Sequence, residues 1–190
     1  MNPLRNLALT FVLLLVGSLA QAHIASDGFL TLKVEGSTLT GAIELAIRDG
    51  ELAVGLDRDN NGKVTWGELK LSQEALQNYV QGHLRLSGND GPCRLRFAPV
   101  EVNDRVDGSY LWLPITAECG SALKRLFIDY TLLDAEDPSH RGLLTLFANA
   151  AAQTAVLGGG AGPRQFELNH VSSWSAFVEY LRAGIWHIWS

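Results

Sequence analysis

The sequence is short of several things, and each shortage narrows what the chain can be. It has two cysteines, Cys93 and Cys119, too few for a disulfide-rich scaffold or a four-thiolate zinc site. Charge is sparse and mixed, 15 Lys and Arg against 20 Asp and Glu for a formal net charge of −5, with no basic run or stripe. No nucleic-acid partner is therefore expected, because phosphate binding needs clustered cations. Neither G-x-S-x-G nor H-E-x-x-H occurs, and no motif marks a Ser, His and carboxylate set. The chain accordingly does not read as an enzyme, and no catalytic residue is assigned. His140 follows Pro138-Ser139 and lies close to Asp137, which reads as a solvated polar turn.

The chain opens with a processing segment. Arg5 charges its start, Leu7 to Val16 are an apolar stretch too short to span a bilayer, and Ala20-Gln21-Ala22 is a small-x-small cleavage site. Residues 1–22 are thus expected to be a signal peptide, with a mature chain starting at His23. In an oxidising compartment an even pair of cysteines favours one disulfide, Cys93 to Cys119. The rival, a metal held by two thiolates, lacks a second C-x-x-C or a nearby His pair. The mature chain has the length of a single domain.

Most of that domain alternates as strands do. Phe29, Leu30, Leu32 and Val34 lead through Glu35-Gly36-Ser37 to Leu39, Ile43, Leu45 and Ile47, a hairpin with one buried face. Further apolar runs fall at Leu84 and Leu86, Cys93 to Phe97, Tyr110 to Ile115, Leu126 to Tyr130, Leu144 to Phe147, Ala155 to Leu157, and Phe166 to Leu168. Turn residues such as Gly88-Asn89-Asp90-Gly91-Pro92 and Asp137-Pro138 separate them. Many short strands with regular turns predict a mainly β protein, a β-sandwich spanning residues 23–171.

Into this pattern is set the twelve-residue stretch 57–68, which has the form of an EF-hand calcium loop. Asp57, Asp59 and Asn61 occupy positions 1, 3 and 5, where alternate side-chain oxygens converge on one centre. Gly62 at position 6 permits the sharp turn, Lys63 at position 7 gives its carbonyl, and Thr65 at position 9 reaches the ion directly or through water. Glu68 closes the shell at position 12, where a bidentate carboxylate suits the six to eight oxygens of Ca2+. Asn60, at position 4, points away. A turn rich in Asp, Asn and Gly would account for residues 59–62 but predicts neither Glu68 nor the apolar Val64. Only about two helical turns fit between Asp49 and Leu56, so a full incoming helix is absent. After the loop, Trp66, Leu69, Gln73, Leu76 and Val80 predict a helix over 66–81, with Thr65 as N-cap, Glu68 in the capping-box position and Gly82 as its end. No second loop exists: Asn103 to Tyr110 holds Asp104 and Asp107-Gly108 at the wrong spacing.

Two further features leave alternatives open. Cleavage after Ala22 would place a free α-amino group beside the His23 imidazole, a chelate that suits copper or nickel. A second ligand would have to be His83, His140 or His170. Residues 172–190 form an apolar amphipathic helix with Trp174, Trp186 and Trp189, which suits a membrane interface or docking on the sandwich.

Together these residues carry a resemblance. Ala22-His23, the hairpin, Gly55-Leu56-Asp57 to Trp66-Gly67-Glu68-Leu69, His140-Arg141-Gly142-Leu143-Leu144 and Gly184-Ile185-Trp186-His187-Ile188-Trp189 resemble the HupE/UreJ-like bacterial membrane protein family along the whole chain. The resemblance implies a periplasmic, membrane-associated domain preceding a transmembrane bundle, of which only His187 would match the opening motif. It assigns neither a transported substrate nor a small-molecule ligand. The function expected is calcium binding by an extracytoplasmic domain, with Ca2+ mainly structural. The alternative is a transition-metal module using His23.

Overall fold

The computed structural model describes residues 26–149 and 151–168. The segment 1–22 expected to be a signal peptide, His23, His170, His187 and the helix expected over 172–190 lie outside the described residues.

The described chain is mainly β. A hairpin of β1 (Asp27–Glu35) and β2 (Thr38–Ala46) opens it. Gly36, at φ 63°, supplies the turn conformation that a side chain would resist. Period-two alternation buries Leu30 and Leu32 from one strand and Leu39, Ile43 and Leu45 from the other, with Leu30 opposite Ile43. Two helices follow, α1 (Ile47–Val54) and α2 (Trp66–His83), with the 57–68 loop between them. The remaining strands are β3 (Leu84–Gly88), β4 (Gly91–Pro92), β5 (Arg94–Phe97), β6 (Glu101–Arg105), β7 (Gly108–Glu118), β8 (Arg125–Tyr130), β9 (Arg141–Ala148), β10 (Ala151–Leu157) and β11 (Arg164–Glu167).

They form two sheets. One runs β10-β9-β1-β2-β7-β5, with β6 also paired to β7, and the other runs β11-β8-β3-β4. All pairs are antiparallel except β1 with β9. A single apolar cluster joins the sheets to both helices: Leu32, Ile43 and Leu113 come from one sheet, Leu86, Leu126 and Ile128 from the other, and Leu69, Leu76 and Val80 from α2. The chain changes sheets at Cys93. Its N–H donates to Leu86 O on β3 at 2.8 Å, while its sulfur is bonded to Cys119, just past β7. The disulfide therefore sits beside the Arg94–Glu118 rung, where β5 and β7 meet the smaller sheet.

Two local expectations need correction, and one strand went unread. Ile47, which continues the strand alternation, begins α1 instead. Gly82 does not end α2. The helix runs to His83 because Thr131 N–H donates to His83 O at 2.8 Å and the buried Leu84 pairs with Tyr130, contacts that offset glycine's weak helix propensity. β6 is a strand that apolar periodicity cannot detect, since Glu101–Arg105 are exposed on both faces.

Candidate metal centre

α1 is two turns long and delivers the chain to the loop. It ends at Gly55, whose φ of 67° turns the chain while its N–H returns to Glu51 O at 2.8 Å. Leu56 is then fully buried, and Asp57 N–H donates to Glu51 Oε2 at 2.6 Å. Position 1 of the loop is thus fixed by a core anchor and by a side chain of the preceding helix.

The other end is fixed by the start of α2. Thr65 and Glu68 form a reciprocal capping box: Glu68 N–H donates to Thr65 Oγ1, and Thr65 N–H donates to Glu68 Oε2 at 2.8 Å. The Thr65 hydroxyl also donates to Oε2, at 2.7 Å, and Arg58 N–H donates to Oε1 at 2.9 Å. One carboxylate therefore ties positions 2, 9 and 12 together. These donors, Thr65's backbone N–H first and its hydroxyl next, hold the Glu68 carboxyl below the usual carboxylate range.

Between the ends the loop folds onto its own acids. Asp57 accepts N–H bonds from Asn61 at 3.1 Å and Gly62 at 2.7 Å. Asp59 accepts from Asn61 N–H at 3.1 Å and from Asn61 Nδ2 at 2.8 Å, and Asn61 Oδ1 accepts Lys63 N–H at 2.9 Å. Gly62 has φ 81° and Asn60 φ 56°, so two left-handed residues make the turn. The result brings one oxygen each from Asp57, Asp59 and Glu68 within 4.8 Å of one another. Such oxygens repel, by about 1 kcal/mol per pair even at the dielectric of water, and a divalent cation among them would reverse the sign. Of the six residues expected to bind it, these three converge. Of the other three, Asn61 Nδ2 donates to Asp59, the Thr65 hydroxyl donates to Glu68 and the Lys63 N–H donates to Asn61 Oδ1.

The His140 region differs from expectation. Asp137 and Ser139 do form a polar turn, with Ser139 N–H and hydroxyl on Asp137 Oδ1 at 2.9 and 2.6 Å. His140 itself is completely buried. β9 begins at the next residue, where Arg141 N–H donates to Ser26 O at 3.0 Å, and this turns the imidazole inward. Its Nδ1 lies 2.7 Å from Ser26 Oγ and its Nε2 2.8 Å from the Tyr130 hydroxyl, while Ser26 Oγ donates to Asp49 Oδ2 at 3.0 Å. The slot exists because Gly28 and Gly142 face each other across β1 and β9. A Cβ on Gly142 would come within 2.7 Å of the Tyr130 ring, and one on Gly28 within 3.2 Å of His140 Nε2. Sequence reading missed Ser26, Asp49 and Tyr130. The two glycines inside strands were the available signal.

His83 gives its Nδ1 to a contact with Tyr79 O at 2.8 Å, and His140 has both ring nitrogens engaged. His140 thus has no ring nitrogen left for a metal, while the contact of His83 uses Nδ1 alone. Among the described residues no helix is long and apolar enough to cross a membrane. No protein-family model matches this chain, and no curated protein matches it.

Proposed function

We propose that residues 57–68 bind one calcium ion as an EF-hand-type loop, and that the ion locks the β1–β2 hairpin and α1 to α2 in an extracytoplasmic β-sandwich domain. The observation that carries this reading is the convergence of Asp57, Asp59 and Glu68, positions 1, 3 and 12, within 4.8 Å. Asn61, the Lys63 carbonyl and Thr65 would complete an oxygen shell, to which Ca2+ contributes only its charge. The ion is structural in this reading. Sensor EF-hands open a helix pair, and here α1 has eight residues and, among the described residues, acids converge in this way at this loop alone. The acids of the β6–β7 hairpin serve local contacts instead, Ser109 Oγ donating to Asp104 at 2.7 Å and the Tyr110 hydroxyl to Asp107 at 2.9 Å.

Calcium bound only by the native state stabilises it by mass action, about 2.7 kcal/mol at a hundred times the dissociation constant. The melting temperature should therefore rise by roughly 5 to 10 °C for a domain of this size. Exported calcium modules bind on the order of 10⁻⁴ to 10⁻³ M, so that excess takes about 10 to 100 mM calcium, and 1 mM should give roughly 0.4 to 1.4 kcal/mol. Glu68→Gln should lose most of the rise and Lys63→Ala almost none, because position 7 contributes only a carbonyl. A wild-type melt unmoved by millimolar calcium would reduce the loop to a turn.

We also propose that the domain is periplasmic and membrane-associated, as in HupE/UreJ-like proteins. The support is the aromatic, apolar sequence of residues 172–190. The full chain should co-sediment with liposomes and a chain ending at Asn169 should not. Equal behaviour would point to docking on the sheets.

A further inference from the structure

The outer face of the larger sheet lacks the polar cover that a sheet with one wet face normally carries. Leu30 and Leu32 of β1 and Leu144 and Leu146 of β9 are buried in the core, so the residues that alternate with them point out. Strand pairing sets these in rows across β10, β9 and β1. Val156 lies beside Leu143 and Leu143 beside Phe29 in the first row, and three threonines, Thr154, Thr145 and Thr31, make the second. Ala152, Phe147 and Lys33 make the third. The rows thus hold one charged residue, Lys33, whose charge Glu35 takes up at 2.6 Å. Phe147 is 43% exposed and Val156 53%, large apolar side chains that a solvated face does not need.

This strip has walls and a width. On its β2 side the Arg105 guanidinium lies 4.0 Å over the Phe29 ring and within 3.3 Å of Glu44, which closes the apolar surface there. On the other side β10 is the edge of the sheet. Between them lie two strand spacings, about 10 Å, which suits the diameter of one α-helix and is too narrow for a second sheet. Along the strands the three rows extend about 14 Å, room for about nine helical residues.

The chain leaves the described residues at one end of this trough. Leu168 O accepts from Asn149 Nδ2 at 2.7 Å and Glu167 O from Gln153 Nε2 at 3.0 Å, so β11 hands the chain to the hairpin of β9 and β10. Phe147, Ala148 and Ala151 line an apolar groove there, with Val34 beside them. Residues 169–173 reach about 17 Å when extended, enough to enter the trough from the Phe147 end. At helical spacing Trp174, Phe177, Val178 and Leu181 share one stripe, and the stretch 174–181 has the length that the three rows admit. We propose that residues 174–182 of this chain dock along the β10–β9–β1 face as a helix, with that stripe on the three rows, and cover the sheet as a further layer. Gly184–Trp189 then lie beyond the trough and keep Trp186 and Trp189 for a lipid surface. The docking is therefore compatible with the membrane reading and independent of the calcium loop.

A thiol placed on the face reports its cover, since Cys93 and Cys119 are bonded to each other and do not react. In the full chain Thr31→Cys, at an exposed position of the second row, should react with a maleimide about tenfold more slowly than Arg85→Cys, exposed on β3 of the smaller sheet. Phe177→Asp combined with Leu181→Asp should bring the two rates together. Thr154→Cys repeats the measurement on β10 if Thr31→Cys does not fold. Equal rates in the chain without the aspartates overturn the docking. Protection that survives the aspartates also overturns it, and loss of that protection on dilution would assign the face to a second copy. Protection that appears only with liposomes assigns the face to lipid and overturns it as well. Sedimentation of the same full chain with liposomes is a separate readout. A chain protected but not sedimented keeps the docking and loses the membrane reading, and a chain sedimented but unprotected does the reverse.

Discussion

The two ends of α1 carry polar clusters built on opposite principles. At the loop end, Asp57, Asp59 and Glu68 are exposed or half-buried, lie within twelve residues of sequence and concentrate negative charge. At the other end, Ser26, Asp49 and His140 are buried, come from distant parts of the chain, and carry one formal charge when His140 is neutral. The first cluster is open to an ion that would relieve its repulsion. The second is complete without one. Water separates the cases: an exposed acid costs little to leave partly unpaired, whereas a dry polar group must find its partner inside the protein.

The comparison predicts that damage at the dry end exceeds damage at the wet end. Asp49→Ala should have the largest effect, a loss of about 3 kcal/mol. It removes the carboxylate that the buried Ser26 hydroxyl donates to and leaves the first turn of α1 without its acid. Urea unfolding monitored with and without calcium would measure it, and the loss should persist at saturating calcium. A loss smaller than that of a helix cap would mean that the dry cluster does not hold the helix.

The same contrast explains what the sequence could reveal. The convergence of Asp57, Asp59 and Glu68 was legible because the loop pattern places its acids at set positions of one short stretch. The strands were legible wherever one face is buried, as in β1, β2 and β7, where apolar residues recur two apart. β6 was not, because a strand exposed on both faces has no period to read. His140 was misread for a related reason. Asp137, Pro138 and Ser139 announce a turn, and the next side chain reverses direction only because β9 pairs in parallel with β1, more than 110 residues earlier in the chain. Ser26, Asp49 and Tyr130 have no local signature at all, since each is an ordinary residue until the sheet brings it to the imidazole.

At the wet end the Thr65 cap should matter by about 1 kcal/mol, the usual value of a Ser or Thr N-cap. Thr65→Ala removes the acceptor for Glu68 N–H and one donor to the Glu68 carboxylate. Because Thr65 would also belong to the oxygen shell, the variant gains less from calcium than wild type, so the loss should grow when calcium is added. Thermal melts of Thr65→Ala and wild type, each with and without calcium, give the four values needed. An equal loss in both conditions would separate the cap from the metal site.

The smallest effect is expected inside the loop, at Asn60. Its side chain at position 4 points away from the ion in an EF-hand loop, so a substitution there looks neutral to calcium. The backbone makes it less simple, because Asn60 sits at φ 56°, a left-handed conformation that asparagine tolerates and alanine resists. Asn60→Ala should therefore destabilise the loop by about 1 kcal/mol through strain. Asn60→Gly, which accepts positive φ freely, should change stability by only a few tenths of a kcal/mol, its gain in the fold offset by the looser unfolded chain. Neither change removes a carboxylate, so the calcium-dependent shift in melting temperature should match wild type in the glycine variant. If Asn60→Gly loses that shift while Glu68→Gln keeps it, the ion is not where positions 1, 3 and 12 converge.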